Sequence, residues 1–79
     1  MKLTANIFIT SEKIPALKRC FDAELAAMQT ARSTVILHTT KDTMHFAITA
    51  ADSTALRATC VGITKLLTVF EKATGDDDE

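Results

Sequence analysis

From Thr34 to Ala50 the chain reads TVILHTTKDTMHFAITA, two β-branched runs, Thr34 to Thr40 and Thr43 to Ala50, on either side of Lys41-Asp42. Apolar and polar side chains alternate in both, the pattern of strands with one covered face, and a two-residue gap between such runs predicts a β-hairpin. Lys-Asp is not a favoured two-residue turn, so the strands themselves must fix the register. Centring the hairpin between Lys41 and Asp42 pairs Val35 with Ile48, Leu37 with Phe46 and Thr39 with Met44 on one face. Ile36, His38 and Thr40 then meet Ala47, His45 and Thr43 on the other. One face is apolar and one mixed, as in a sheet covered on a single side.

Upstream, Lys2 to Thr10 alternates in the same way, with Leu3, Ala5, Ile7 and Ile9 on one parity and Thr4, Asn6 and Phe8 on the other, a further strand. Ser11 offers a helix N-cap, Glu12 suits a first turn, and Pro15 is tolerated only in the opening turn, so a helix should start between Ser11 and Ile14. Ile14, Leu17, Phe21, Leu25 and Met28 then recur at spacings of three and four, one apolar stripe ending near Met28. Gln29 to Ser33 has no period and reads as a connection. Downstream of the hairpin, Ala51-Asp52-Ser53 supplies capping oxygens, and Thr54 to Ala73 is compatible with one long helix before Gly75. The order β-α-β-β-α predicts an α+β two-layer domain, a three-stranded antiparallel sheet with both helices on one face.

Length and composition agree with one domain, residues 1–75: the chain has 79 residues, 47% apolar side chains, two Gly and one Pro. No apolar stretch approaches the roughly 20 residues that span a bilayer, and no basic and apolar leader pattern opens the chain, so a cytosolic location is expected. Near-neutrality is an average, since four of the ten acids are Asp76, Asp77, Asp78 and Glu79. Without this tail, expected to be solvated, nine cations face six acids, too weak an excess to indicate nucleic-acid binding.

A chain this short buries only about 60–65% of its unfolded surface, and often needs a disulfide, a metal or a partner. Cys20 and Cys60 form no CxxC and have no His at ligand spacing; each is expected to be a small buried hydrophobe. The last helix suggests another source of burial. Leu56, Cys60, Ile63, Leu67 and Phe70 make a core stripe, yet Ala55, Thr59, Gly62, Leu66, Val69 and Ala73 make a second one, offset by one position. Gly62 within a helix costs roughly 1 kcal/mol relative to Ala and is best explained by a close neighbouring backbone. That neighbour is either a partner's helix or the first helix of the same chain.

The stretch Ile48-Thr-Ala-Ala-Asp-Ser-Thr-Ala-Leu-Arg-Ala-Thr59 resembles the signature of the smallest subunit of the KEOPS complex, the Pcc subunit related to the CTAG/LAGE antigens. In that family a strand ends in an A-D-x-x-x-L-R-A motif that opens the last helix; Asp52, Leu56, Arg57 and Ala58 match it, and the element order agrees over nearly the whole chain. The family usually continues with an Asn-Ser pair and an Arg-aromatic pair, where this chain has Val61-Gly62 and Lys65-Leu66. The changed helix and the acidic tail would suit the diverged Pcc-type paralogue of archaeal KEOPS. The resemblance implies a non-catalytic accessory subunit, without cofactor, of a complex that makes threonylcarbamoyladenosine next to the anticodon of tRNA. It would dimerise with itself or with a paralogue, dock its helices on the Kae/TsaD-type transferase subunit, and meet tRNA through the complex.

The remaining motifs carry less. His38 and His45 fall opposite each other, but two ligands without a carboxylate or thiolate make a poor metal site, and an exposed or dimer-facing pair is expected. Ser11, Ser33 and Ser53 show no triad spacing, and two glycines build no nucleotide loop. Asp52 and Ser53 are read as helix caps. Arg57, early in the last helix and unfavourable against its dipole, answers to a carboxylate, phosphate or carbonyl, or is a solvated charge. Lys13, Lys18, Arg19 and Arg32 read as a solvated face that could brush a tRNA backbone. The reading from another class is a stand-alone RNA-binding α+β domain, although such domains usually open their last helix with lysines, where this one has Ala-Asp-Ser-Thr.

Overall fold

The computed structural model describes residues 1–75; the acidic tail, residues 76–79, lies outside the described residues. Five elements follow in the order β1 (Leu3–Thr10), α1 (Ile14–Met28), β2 (Ser33–Thr39), β3 (Thr43–Ala50) and α2 (Ser53–Thr74). They form the α+β architecture read from the sequence, one three-stranded antiparallel sheet with the helices against it. The hairpin register is the expected one, Val35 opposite Ile48, Leu37 opposite Phe46, Thr39 opposite Met44 and His38 opposite His45. Thr40 closes the Lys41-Asp42 turn: its N–H donates to the Thr43 carbonyl at 2.8 Å, and its hydroxyl accepts from the Thr43 N–H at 3.2 Å.

The sheet order is β1-β3-β2, so β3 is central and α1 carries the chain across it from one edge to the other. β1 pairs with β3 from Leu3 opposite Ala50 to Thr10 opposite Thr43. Every inward side chain of β3, Met44, Phe46, Ile48 and Ala50, is buried. Ile14, Leu17 and Phe21 of α1, Val35 of β2 and Ile63 of α2 close over them, with the Phe21 ring edge-on to Phe46 at 4.8 Å. The inward residues of β1, Leu3, Ala5, Ile7 and Ile9, are only half-buried. The other sheet face carries no helix, leaving Phe8 66% and Ile36 57% exposed.

Three local expectations change. Ser11 does not cap α1. Lys13 occupies the N-cap position but its side chain does not cap the helix, and the Ser11 hydroxyl accepts from the Lys13 N–H at 2.9 Å, stabilising the turn before the helix. Helix α2 is one residue longer at each end than Thr54 to Ala73, because Asp52 caps it and Gly75, at φ 79°, ends it in the left-handed region with its N–H on the Glu71 carbonyl. Cys20 and Cys60 are free and half-buried, not fully buried; Cys60 packs at the margin of the core. No helix among the described residues is long and apolar enough to cross a membrane.

The fold makes the two phenylalanines of the sheet unequal, Phe46 on its covered face and Phe8 on its open one. Phe46→Ala should cost about 3–5 kcal/mol, much of the stability of a domain this size. Phe8→Ala should cost less than about 1 kcal/mol. Urea unfolding of both variants checks this; equal losses would contradict the assignment of faces.

Candidate functional site

The long helix α2 begins where β3 ends, and Asp52 secures that junction twice. One carboxylate oxygen accepts from the Ala55 N–H at 2.9 Å, the capping bond that satisfies a helix-end donor. The other pairs with the Arg32 guanidinium from the loop before β2. The Arg32 carbonyl in turn accepts from the Ala51 N–H at 2.8 Å. Asp52 is therefore a cap, as read from the sequence. Arg32 belongs to the same junction and is not simply part of a solvated cationic face. Arg57 is exposed and makes no hydrogen bond or ion pair among the described residues.

Below this junction a groove opens between the C-terminal half of α1 and α2. Its upper part, about 660 Å³, is walled by Ala27 and Met28 and floored by Ala55, Ala58, Thr59 and Gly62. It adjoins a second hollow of about 290 Å³, bounded by Glu24, Ala27, Met28, Gly62, Lys65, Leu66 and Val69. From Ala55 to Val69, at ~1.5 Å per residue, the groove follows about 21 Å of helix. Gly62 lies at the shared centre, and a Cβ built on it meets nothing within 4 Å. Helix α1 therefore does not supply the close backbone approach that would explain this glycine.

The six residues of the second stripe do not behave alike. Ala55 and Gly62 floor the groove half-buried, and Leu66 lies at its lower end while also packing against the core. Val69 is 60% exposed at the rim, and Ala73 is exposed beyond it. Thr59 departs from the expectation because it is buried, its hydroxyl 3.0 Å from that of Ser33, which also lies 3.1 Å from the Thr30 hydroxyl. This chain of hydroxyls ties α2 to β2 within the molecule, so Thr59 supports the groove floor. Ala27, Met28 and Ala58 belong to the same surface. The run Ala26-Ala27 at the end of α1 was the available sequence signal, but it lies off the apolar stripe and shows no periodicity of its own.

The histidines meet as expected on the open sheet face, their ring centres 5.8 Å apart. The Phe8 ring stacks on the other side of His45 at 4.3 Å and 5°. The His45 Nε2 lies 2.7 Å from the Asn6 side-chain oxygen. Both faces of the His45 ring are thus taken up by neighbouring rings, which does not suit a platform for stacking bases. No group of three or more His, Cys, Asp or Glu placed to hold a metal occurs among the described residues.

No family model, curated protein or solved structure matches the chain.

The double role of Asp52 can be separated. Asp52→Ala should cost about 1 kcal/mol through loss of the cap, a drop of about 4–8 °C in Tm. Asp52→Asn keeps an accepting oxygen and should cost only a few tenths of a kcal/mol, because the Arg32 side chain is largely exposed. Equal losses in thermal melts would place the weight on the ion pair.

Proposed function

We propose that this chain is a non-catalytic accessory subunit of a KEOPS-type complex, the assembly that makes threonylcarbamoyladenosine in tRNA. It docks on the Kae/TsaD-type transferase subunit by receiving a helix in the groove between α1 and α2. The observation that carries this reading is Gly62: it sits in the middle of α2, costs helix stability, and has open space where the chain's own fold offers nothing to justify it. A valley floored by Ala55, Ala58 and Gly62 lets another helix approach closely, and about 21 Å accommodates some four turns of it. Leu66 and Val69 at the lower end offer apolar contact, with Lys65 and Glu24 on the rim. Arg57, exposed and without a partner among the described residues, remains available for a carboxylate or carbonyl of the docked subunit.

The element order and the capping of α2 by Asp52 agree with the A-D-x-x-x-L-R-A resemblance. In this reading the subunit carries no catalytic residue, and tRNA reaches it through the complex. Its place in the cytoplasm follows from that of the tRNA-modifying machinery.

Gly62 provides the test. In the isolated chain Gly62→Ala should raise stability by about 0.5–1 kcal/mol, since the added methyl meets open space. Gly62→Arg should leave the circular dichroism spectrum unchanged and abolish co-elution with the transferase subunit on size exclusion. Undiminished co-elution of Gly62→Arg would refute the docking assignment. Tight, steeply salt-dependent tRNA binding by the chain alone would move the function to RNA recognition.

A further inference from the structure

The sheet face without helices carries a constellation of its own, built round His45. The Phe8 ring lies flat on one side of the His45 ring at 4.3 Å, and His38, directly opposite on β2, stands on the other with ring centres 5.8 Å apart. The His45 Nε2 lies 2.7 Å from the Asn6 side-chain oxygen. A carboxamide oxygen only accepts, so this bond puts the proton of the neutral imidazole on Nε2 and leaves the lone pair on Nδ1. Stacking closes the two faces of the ring but not its edge, and a metal ion binds in the plane of the ring. Asn6 therefore fixes both orientation and tautomer of His45, as an outer partner does for a metal-binding histidine.

His38 brings a second imidazole to the same place. It is exposed and makes no hydrogen bond among the described residues, so its ring can turn about the Cβ–Cγ bond. Its backbone is held, although β2 is an edge strand, because the loop before β2 fastens it. The Gln29 amide nitrogen donates to the Val35 carbonyl at 2.8 Å, and the Gln29 side-chain oxygen accepts from the Val35 N–H at 3.0 Å. The Ser33 N–H donates to the Thr30 hydroxyl, and the Ser33 carbonyl accepts from the Thr30 N–H. Nitrogens bound to one ion lie about 2.0–2.1 Å from it, which sets the ring centres of a two-imidazole chelate roughly 4.5–6 Å apart. The two histidines already stand at that separation.

We propose that His38 and His45 together bind one borderline divalent transition-metal ion, of the Ni2+ and Cu2+ class, with Asn6 as the positioning residue. The donors select the class. Imidazole nitrogens suit these ions and not Mg2+ or Ca2+, which take oxygen ligands, and both cysteines lie on the helices, away from this face. Two protein ligands do not close the tetrahedral shell of a structural zinc site, whereas Ni2+ and Cu2+ complete their shells with water, so two adjacent nitrogens are enough to hold the ion. Asn6 comes from β1, on the other side of β3 from His38, and no spacing in the sequence points to it. The bound ion ties β2 to β3 near the hairpin turn. It sits on the sheet face away from the groove and does not rest on the helix-docking reading.

Ni2+ is the probe of choice, because the free thiols of Cys20 and Cys60 do not reduce it. Titrated into the metal-free chain and followed by calorimetry, it should bind one ion per chain with a Kd below about 100 µM. His38→Ala and His45→Ala should each weaken binding at least about tenfold, and Asn6→Ala about tenfold, with unchanged circular dichroism spectra. The unmodified chain gives a second reading that needs no variant: paramagnetic broadening by Ni2+ should centre on Ile36, His38, His45 and Ala47 and spare α1 and α2. The imidazole nitrogen spectrum of metal-free His45 should show the Nε2–H tautomer, and Asn6→Ala should mix the two tautomers. No binding below about 1 mM, affinity indifferent to either histidine, or broadening centred on the helices would overturn the site. A His45 tautomer indifferent to Asn6→Ala would overturn the role of Asn6.

Discussion

The molecule depends on burying one row of side chains, Met44, Phe46, Ile48 and Ala50 on the central strand. β3 is paired on both sides and cannot shift by one residue without turning this row out to solvent, so its register holds both neighbours in place. The helices cover the row from either flank, and the contact between the Phe21 and Phe46 rings locks the layers together. With a chain this short there is no second core to compensate, and everything peripheral inherits its position from this row. The groove between the helices follows from it: α1 and α2 are each drawn down onto the sheet more than toward each other.

Much of this was legible in the sequence because strand and helix periods are local signals. Val35, Leu37, Phe46 and Ile48 alternate strongly enough to fix the hairpin register by themselves, and Ile14, Leu17 and Phe21 mark the inward face of α1. The edge that β1 would occupy was not legible, since its alternation is the same on either side of β3. Helix α1 begins at Ile14, the far end of the expected range, and Ser11, which has the chemistry of a cap, stands too far upstream and bonds the Lys13 N–H of the turn instead. Within the second stripe, periodicity treated Thr59 as equivalent to Ala55 and Gly62. Its burial depends on Ser33, 26 positions away, which no helical pattern can report.

The two surfaces singled out here differ in chemistry. The groove is made of small side chains and suits the packing of a helix, whose own backbone bonds are already satisfied. The open sheet face presents two ring nitrogens and suits a metal ion.

Gln29 gives the arrangement a further property. A sheet with two equivalent open edges has no natural end, and each added chain presents the same invitation to the next. With the carboxamide of Gln29 seated on Val35 and the Thr30 loop on Ser33, growth from the β2 side is obstructed by the chain's own atoms. The side chain that ends α1 thus stands in for a strand, and it shields the hydrogen-bonding groups of Val35 from any other chain.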